Sequence, residues 1–182
     1  GVETTAHAIV TNQWGQTNVG SIRAIGDVAG GPWLAHKASH EAVAVVEHIF
    51  GHGNPHPINR LNIPGCTYSF PQIASVGLTE RQALDADYKV RTGTFPFLGN
   101  GKAIALGEAK GFVKTVVDDA TGEILGAHMV GPEVTELIAS FVLARELEAT
   151  EEELAATIFP HPTLSEALHE SILAAGQKAL HI

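Results

Sequence analysis

Phe112-Val113-Lys114-Thr115-Val116-Val117, then Asp118-Asp119-Ala120-Thr121-Gly122, then Ile124-Leu125-Gly126-Ala127-His128-Met129-Val130: two apolar, β-branched runs flank a cluster of turn residues. The runs favour extended backbone and the Asp/Thr/Gly cluster favours reversal, so the stretch predicts a β-hairpin. Downstream the period changes. Val134, Leu137, Ile138, Phe141 and Val142 recur at helical spacing, which predicts an amphipathic helix. Upstream, residues 67–70, 73–78 and 88–97 read as further strands, with Pro71 between the first two. Thr79-x-x-Gln82 is a capping box that opens a short helix, and Thr150 with Glu153 opens a short acidic one. Leu164, Ala167, Leu168, Ile172 and Ala175 mark a final helix, which Gly176 ends. Strands followed by helices predict an α+β layer structure with a mainly antiparallel sheet over residues 61–182.

The first sixty residues have a different rhythm. Residues 8–11 and 21–25 read as strands, Gly30-Gly31-Pro32 breaks the chain, and Ala38, Ala42, Val45, Val46 and Ile49 follow helical spacing up to Gly51. Gly53-Asn54-Pro55 with Pro57 reads as a linker. The expected division is therefore 1–60, of α/β type, and 61–182. The chain opens at Gly1 inside what reads as folded sequence, so it is expected to be a piece of something longer.

Composition narrows the class. The chain has 182 residues, 45% of them hydrophobic, and a formal net charge of −9. That charge disfavours nucleic acid as a partner. No apolar run has the length of a membrane span, and no charged-then-apolar leader opens the chain. A cytoplasmic setting is expected. Cys66 is the single cysteine, so neither an internal disulfide nor a self-contained dithiol centre is available. Its simplest reading is a small buried hydrophobe.

Two places carry chemistry. Asp27 stands just past the segment 21–25, where α/β folds bind ligands, and it precedes a helix whose N-terminus favours phosphate or an electron-rich ring. A carboxylate there accepts hydrogen bonds from hydroxyl groups; as a plain turn residue it would do nothing more. The second place is Phe159-Pro160-His161-Pro162-Thr163-Leu164-Ser165-Glu166-Ala167. Prolines restrict the backbone on both sides of His161. Glu166 is placed to hold one ring nitrogen and leave the other to take a proton. Thr163-x-x-Glu166 is also a capping box, and a carboxylate can both cap and orient. His36 and His40 lie four apart on the first predicted helix, but no third ligand accompanies them, so no metal site is expected.

Ala24-Ile25-Gly26-Asp27 with Leu34-Ala35-His36-Lys37-Ala38 resembles the second flavin-binding motif of the pyridine nucleotide-disulfide oxidoreductases. His161-Pro162-Thr163-Leu164-Ser165-Glu166-Ala167 resembles their active-site base motif, in the form carried by the lipoamide-oxidising members. The resemblance implies an FAD/NAD-linked reductase dimerisation-type domain at 61–182, preceded by the end of an FAD-binding domain at 1–60. It implies FAD contacts from Asp27, Leu34, Ala35 and His36. It also implies His161 as acid/base for a dithiol, with Glu166 orienting it, in a homodimer where this histidine serves the opposite subunit's site. NAD and the redox disulfide would bind or lie outside this chain, and the partner would be the lipoyl domain of a 2-oxo-acid dehydrogenase-type complex. The chain alone is then expected to be inactive. Phe70-Pro71-Gln72 departs from the His-Pro-Glu common in these enzymes, and no chemistry is assigned to Phe70. A glutathione reductase-like flavoenzyme and a bare dimerisation module stand as alternatives.

Overall fold

The computed structural model describes residues 1–53 and 55–181. Asn54, in the expected linker, lies outside the described residues. The chain divides into two units, Gly1–Arg60 and Leu61–Ile182.

Among the described residues of the first unit no strand forms, which corrects the expectation for 8–11 and 21–25. Thr4 bridges Ile9 and Gln16 bridges Arg23, each as an isolated pair. A strand needs a continuing ladder, and here the chain reverses too soon. Asn12 accepts the amides of Trp14 and Gln16 on its side chain and that of Gly15 on its carbonyl. A 3-10 turn follows at Gly26–Ala29, and then helix α1, Ala35–Phe50. Gly51 ends α1 in the left-handed region, φ +64, where glycine carries no Cβ penalty. The expected apolar stripe of α1 is only partly covered within this unit: Val45 is buried, whereas Val46 and Ile49 are exposed. Lys37 is buried in their stead.

The second unit is built on one antiparallel sheet. Strands β1 (Gly65–Thr67), β2 (Gln72–Gly77), β3 (Val90–Pro96), β4 (Phe112–Asp118) and β5 (Ile124–Gly131) lie in the order β1-β2-β5-β4-β3. The β4–β5 hairpin is central. Its turn is closed by the Asp118 carboxylate, which accepts the Thr121 hydroxyl at 2.7 Å and the Ala120 amide at 3.3 Å. β1 lies two residues earlier than the sequence suggests. Residues 68–71 turn instead, with the Ser69 hydroxyl donating to the Pro71 carbonyl, and Pro71 has no amide to give a ladder.

Helices α2 (Glu80–Asp85), α3 (Gly101–Leu106), α4 (Val134–Glu146), α5 (Glu151–Ala156) and α6 (Glu166–Ala175) complete the unit. Two of the three expected capping boxes form in full, at Thr79/Gln82 and Thr150/Glu153. α3 has a weaker signal: Asn100 caps it by accepting the Ala103 amide. α4 packs on β2 and β5, and α6 on β3 and β4. Between helices and sheet lie Phe95, Val113, Met129, Phe141, Leu168 and Ile172, all buried. Each such side chain contributes about 1.5–3 kcal/mol by leaving water.

α6 is seated at a glycine. A Cβ on Gly93 would stand 1.9 Å from the Ser171 carbonyl oxygen and 2.3 Å from the Ala175 amide nitrogen. Beside it the Thr115 and Ser171 hydroxyls share a buried 2.7 Å hydrogen bond. Together they fix how deep α6 sits, and so where its first residue, Glu166, is presented.

Candidate functional site

His161 stands between Pro160 and Pro162 on the loop that enters α6, its side chain 78% exposed. Its Nδ1 lies 2.9 Å from Glu166 Oε1. The other carboxylate oxygen, Oε2, accepts the Thr163 amide at 2.8 Å. Only this half of the expected Thr163/Glu166 capping box forms. The Thr163 hydroxyl turns back instead, donating to the Pro160 carbonyl at 2.7 Å and accepting from the Ser165 hydroxyl at 2.8 Å. α6 accordingly starts at Glu166, not at Leu164.

These contacts define a tautomer. A neutral imidazole meets a carboxylate by donating Nδ1–H, which leaves Nε2 with its lone pair towards the exposed side. Partial burial pushes the Glu166 carboxyl up. The Thr163 amide and the His161 ring outweigh it and hold the group below the usual carboxylate range. The loop is also braced from across the unit. Asn100, buried, donates from Nδ2 to the Thr163 carbonyl at 3.0 Å. Sequence spacing did not single out Asn100; its one visible signal is an Asn-Gly pair before a short apolar run, which marks a helix cap.

The other expected residues lie in the first unit. Asp27 sits on the 3-10 turn, exposed. Gly26 and Gly30 flank it at φ +69 and +95. Leu34 occupies the N-cap of α1, and Ala35 and His36 follow, both exposed. No side chain caps α1 and no acidic residue stands in its first turn, so its N-terminal partial charge is not neutralised locally. An exposed carboxylate beside an uncapped helix N-terminus fits a ligand with hydroxyl donors next to an electron-rich ring, which is the chemistry of a flavin.

The remaining candidates are quieter. Among the described residues no group of three His, Cys, Asp or Glu side chains could hold a metal, and His36 and His40 are both exposed. Cys66 is half-buried on β1 with Sγ 3.9 Å from the Thr135 carbonyl. Burial, then the charge of Glu136, pushes its thiol up, which lowers the thiolate fraction. Phe70 is exposed on the β1–β2 turn. Among the described residues no helix is long and apolar enough to cross a membrane.

The chain is similar to known proteins along nearly its whole length. The chain is 60% identical over 173 residues to a dihydrolipoyl dehydrogenase of Zymomonas mobilis, across 95% of this chain and 37% of that one. It is 57% identical over 181 residues to the dihydrolipoyl dehydrogenase of Rhizobium etli, across all of this chain and 38% of that one. The crystal structure of LpdA from Mycobacterium tuberculosis superposes with a TM-score of 0.88 at 27% identity, over 94% of this chain and 38% of its own. The chain therefore spans little more than a third of the length of these proteins. Residues 63–172 match the dimerisation domain of the pyridine nucleotide-disulphide oxidoreductases, and the chain belongs to that family.

Proposed function

We propose that this chain is the C-terminal part of a dihydrolipoyl dehydrogenase, with residues 1–60 as the end of its FAD-binding domain and 61–182 as the interface domain of a homodimer. The His161–Glu166 pair carries this reading: an exposed imidazole whose Nδ1 lies 2.9 Å from the carboxylate that orients it, with Nε2 left for the proton. A dihydrolipoyl dithiol must lose protons before its sulfur attacks a disulfide, because the thiolate is the nucleophile. His161 takes that proton on Nε2. Glu166 stabilises the imidazolium that results and returns the ring to the same tautomer afterwards. In this reading Asp27 accepts hydrogen bonds from the hydroxylated chain of FAD, and the α1 N-terminus at Leu34, Ala35 and His36 faces its ring. When bound, FAD supplies the two-electron path from the dithiol to NAD. The chain has one cysteine, so the redox disulfide belongs to the rest of the protein, and in this reading the NAD site does too. The dithiol is carried by the lipoyl domain of a 2-oxo-acid dehydrogenase-type complex, in a cytoplasmic setting where Cys66 stays reduced.

The test is His161→Ala in the full-length enzyme. Oxidation of dihydrolipoamide is expected to fall about 10²–10⁴-fold, the usual contribution of a placed base. Transfer from NADH to a dye that bypasses the dithiol needs no such proton and is expected to persist. Equal loss of both activities, together with loss of flavin, would make His161 a structural residue.

A further inference from the structure

Lys37 is the third residue of α1, and its side chain has no exposure to solvent. Its ammonium donates to the Gly26 carbonyl at 3.1 Å and to the Gly30 carbonyl at 2.6 Å, and it pairs with Glu41 Oε1 at 3.1 Å. A lysine has three donors, and all three are placed. The second oxygen of Glu41 accepts the Gly26 amide at 2.7 Å. Both backbone polar groups of Gly26, and the carbonyl of Gly30, are thus tied to α1 by one ion pair. The turn is also held by backbone, the Gly30 amide donating to the Asp27 carbonyl at 3.1 Å and the Ile9 amide to the Val28 carbonyl at 2.8 Å.

A buried ion pair is a weak source of stability, because desolvation offsets most of its attraction. Apolar side chains of similar size would fill the space about as well. What they would not do is hold the turn's carbonyls and amide. Those groups bracket Asp27, and the helix that holds them is the one whose N-terminus stands beside Asp27. We propose that Lys37, with Glu41, is a positioning residue for flavin: it locks the Asp27 turn to the α1 N-terminus, so that both halves of the FAD-contacting edge are set before the cofactor arrives. This rests on the reading of Asp27 and α1 as that edge.

The experiment uses the full-length flavoprotein and the rate of FAD release, followed by the rise of free flavin fluorescence. Three variants are compared. Asp27→Ala tests the edge itself and is expected to release FAD faster. Lys37→Met/Glu41→Leu removes both buried charges together, and Arg60, 4.0 Å from Glu41, is 58% exposed and stays solvated; the variant is expected to release FAD about tenfold faster, the equivalent of one charge-assisted hydrogen bond. Its apoprotein should still take up added FAD to full stoichiometry. Glu41→Gln loses the charge and puts an amide NH2 at one of the two oxygen positions, so either Lys37 or the Gly26 amide faces a donor where it had an acceptor. It should release FAD roughly threefold faster, a partial loss of the same contacts. Release at the parent rate from the double variant, with Asp27→Ala faster, overturns the positioning role. An apoprotein that takes up no FAD at any concentration also overturns it, since the pair would then merely hold the unit together. Should the double variant fail to fold, parent-like release from Glu41→Gln overturns it instead. Parent-like release from Asp27→Ala removes the flavin edge, and the positioning role with it.

Discussion

Glu166 meets His161 with one carboxylate oxygen, at 2.9 Å, and spends the other on the backbone, accepting the Thr163 amide at 2.8 Å. The carboxylate is therefore not free to rotate away from the ring. It is also the first residue of α6, where negative charge is favoured by the helix dipole. A carboxylate fixed at both oxygens can define a single ring orientation in a loop whose histidine is otherwise exposed.

The first prediction concerns that fixation. Glutamine at 166 has one oxygen and one amino group. If the oxygen stays on the Thr163 amide, the amino group faces His161 Nδ1 and calls for the opposite tautomer, with the hydrogen on Nε2. Glu166→Gln in the full-length enzyme should lower dihydrolipoamide oxidation by about 10–10²-fold, less than loss of the base itself. Dye reduction should be unchanged. Parent-like dithiol turnover in this variant would show that Glu166 is only a cap.

Much of this geometry is local, and local geometry is what a sequence displays. The turn after Val117 is set by Asp118 and Thr121, three residues apart, and both capping boxes span three residues. The approach of Glu166 to His161 spans five, with prolines limiting the loop. The role of Asn100 is not legible locally because its partner, Thr163, is 63 residues away. The burial of Lys37 is not legible because lysine is ordinarily solvated, and nothing in the letters shows that two glycine carbonyls converge on its ammonium. The segments 8–11 and 21–25 misled for the opposite reason. Their short apolar runs suit a strand, but a strand is made by its neighbours.

The second prediction is acid lability of the second unit. Asp118 is held below the usual carboxylate range chiefly by the Thr121 hydroxyl, and Glu153 by the Thr150 hydroxyl. Glu166 is held down against its partial burial by Thr163 and His161. A carboxyl whose pKa is lowered on folding stabilises the fold above its unfolded value, roughly pH 4, and that share is lost as pH falls through the folded value. Thermal midpoints of the wild-type chain should therefore drop from about pH 5 downwards. Asp118→Asn should be less stable than wild type at pH 7, and the gap should close towards pH 2 as the wild-type carboxyl protonates. A gap that stays constant across this range would remove Asp118 as a cause.

A third prediction follows from Arg91 on β3. Its guanidinium grips Glu151 of α5 at 2.6 and 3.0 Å, Asp119 of the hairpin turn at 2.5 Å, and the Ala175 carbonyl at the end of α6 at 3.0 Å. One planar fork joins four pieces of the second unit, a task a lysine ammonium cannot copy. Arg91 is 29% exposed, so solvent screens part of the attraction. Arg91→Met should cost about 1–2 kcal/mol in denaturant unfolding, between a surface pair and a buried one. Arg91→Lys should recover less than half of it. No change in the unfolding midpoint of Arg91→Met would leave the network without energetic weight.

The last prediction sets two glycines against each other. At Gly93 a methyl group would overlap the Ser171 carbonyl oxygen at 1.9 Å, an atom of the α6 backbone that no rotamer can move aside. Gly93→Ala must lift α6 from β3 and β4, strain the Thr115–Ser171 hydrogen bond and open the packing around Leu168 and Ile172. The cost should be about 3 kcal/mol or more, at the upper end for overpacking. Because Glu166 begins the displaced helix, the full-length variant should also lose dithiol oxidation more than dye reduction. Gly101, the first residue of α3, has nothing within 4 Å of its would-be Cβ. Gly101→Ala should be neutral or stabilise by up to about 1 kcal/mol, since alanine restricts the unfolded chain. Thermal unfolding of the two variants beside wild type decides the matter. A tolerated Gly93→Ala would mean that α6 rides higher on the sheet than the 1.9 Å approach requires, and the seating of Glu166 would need another cause.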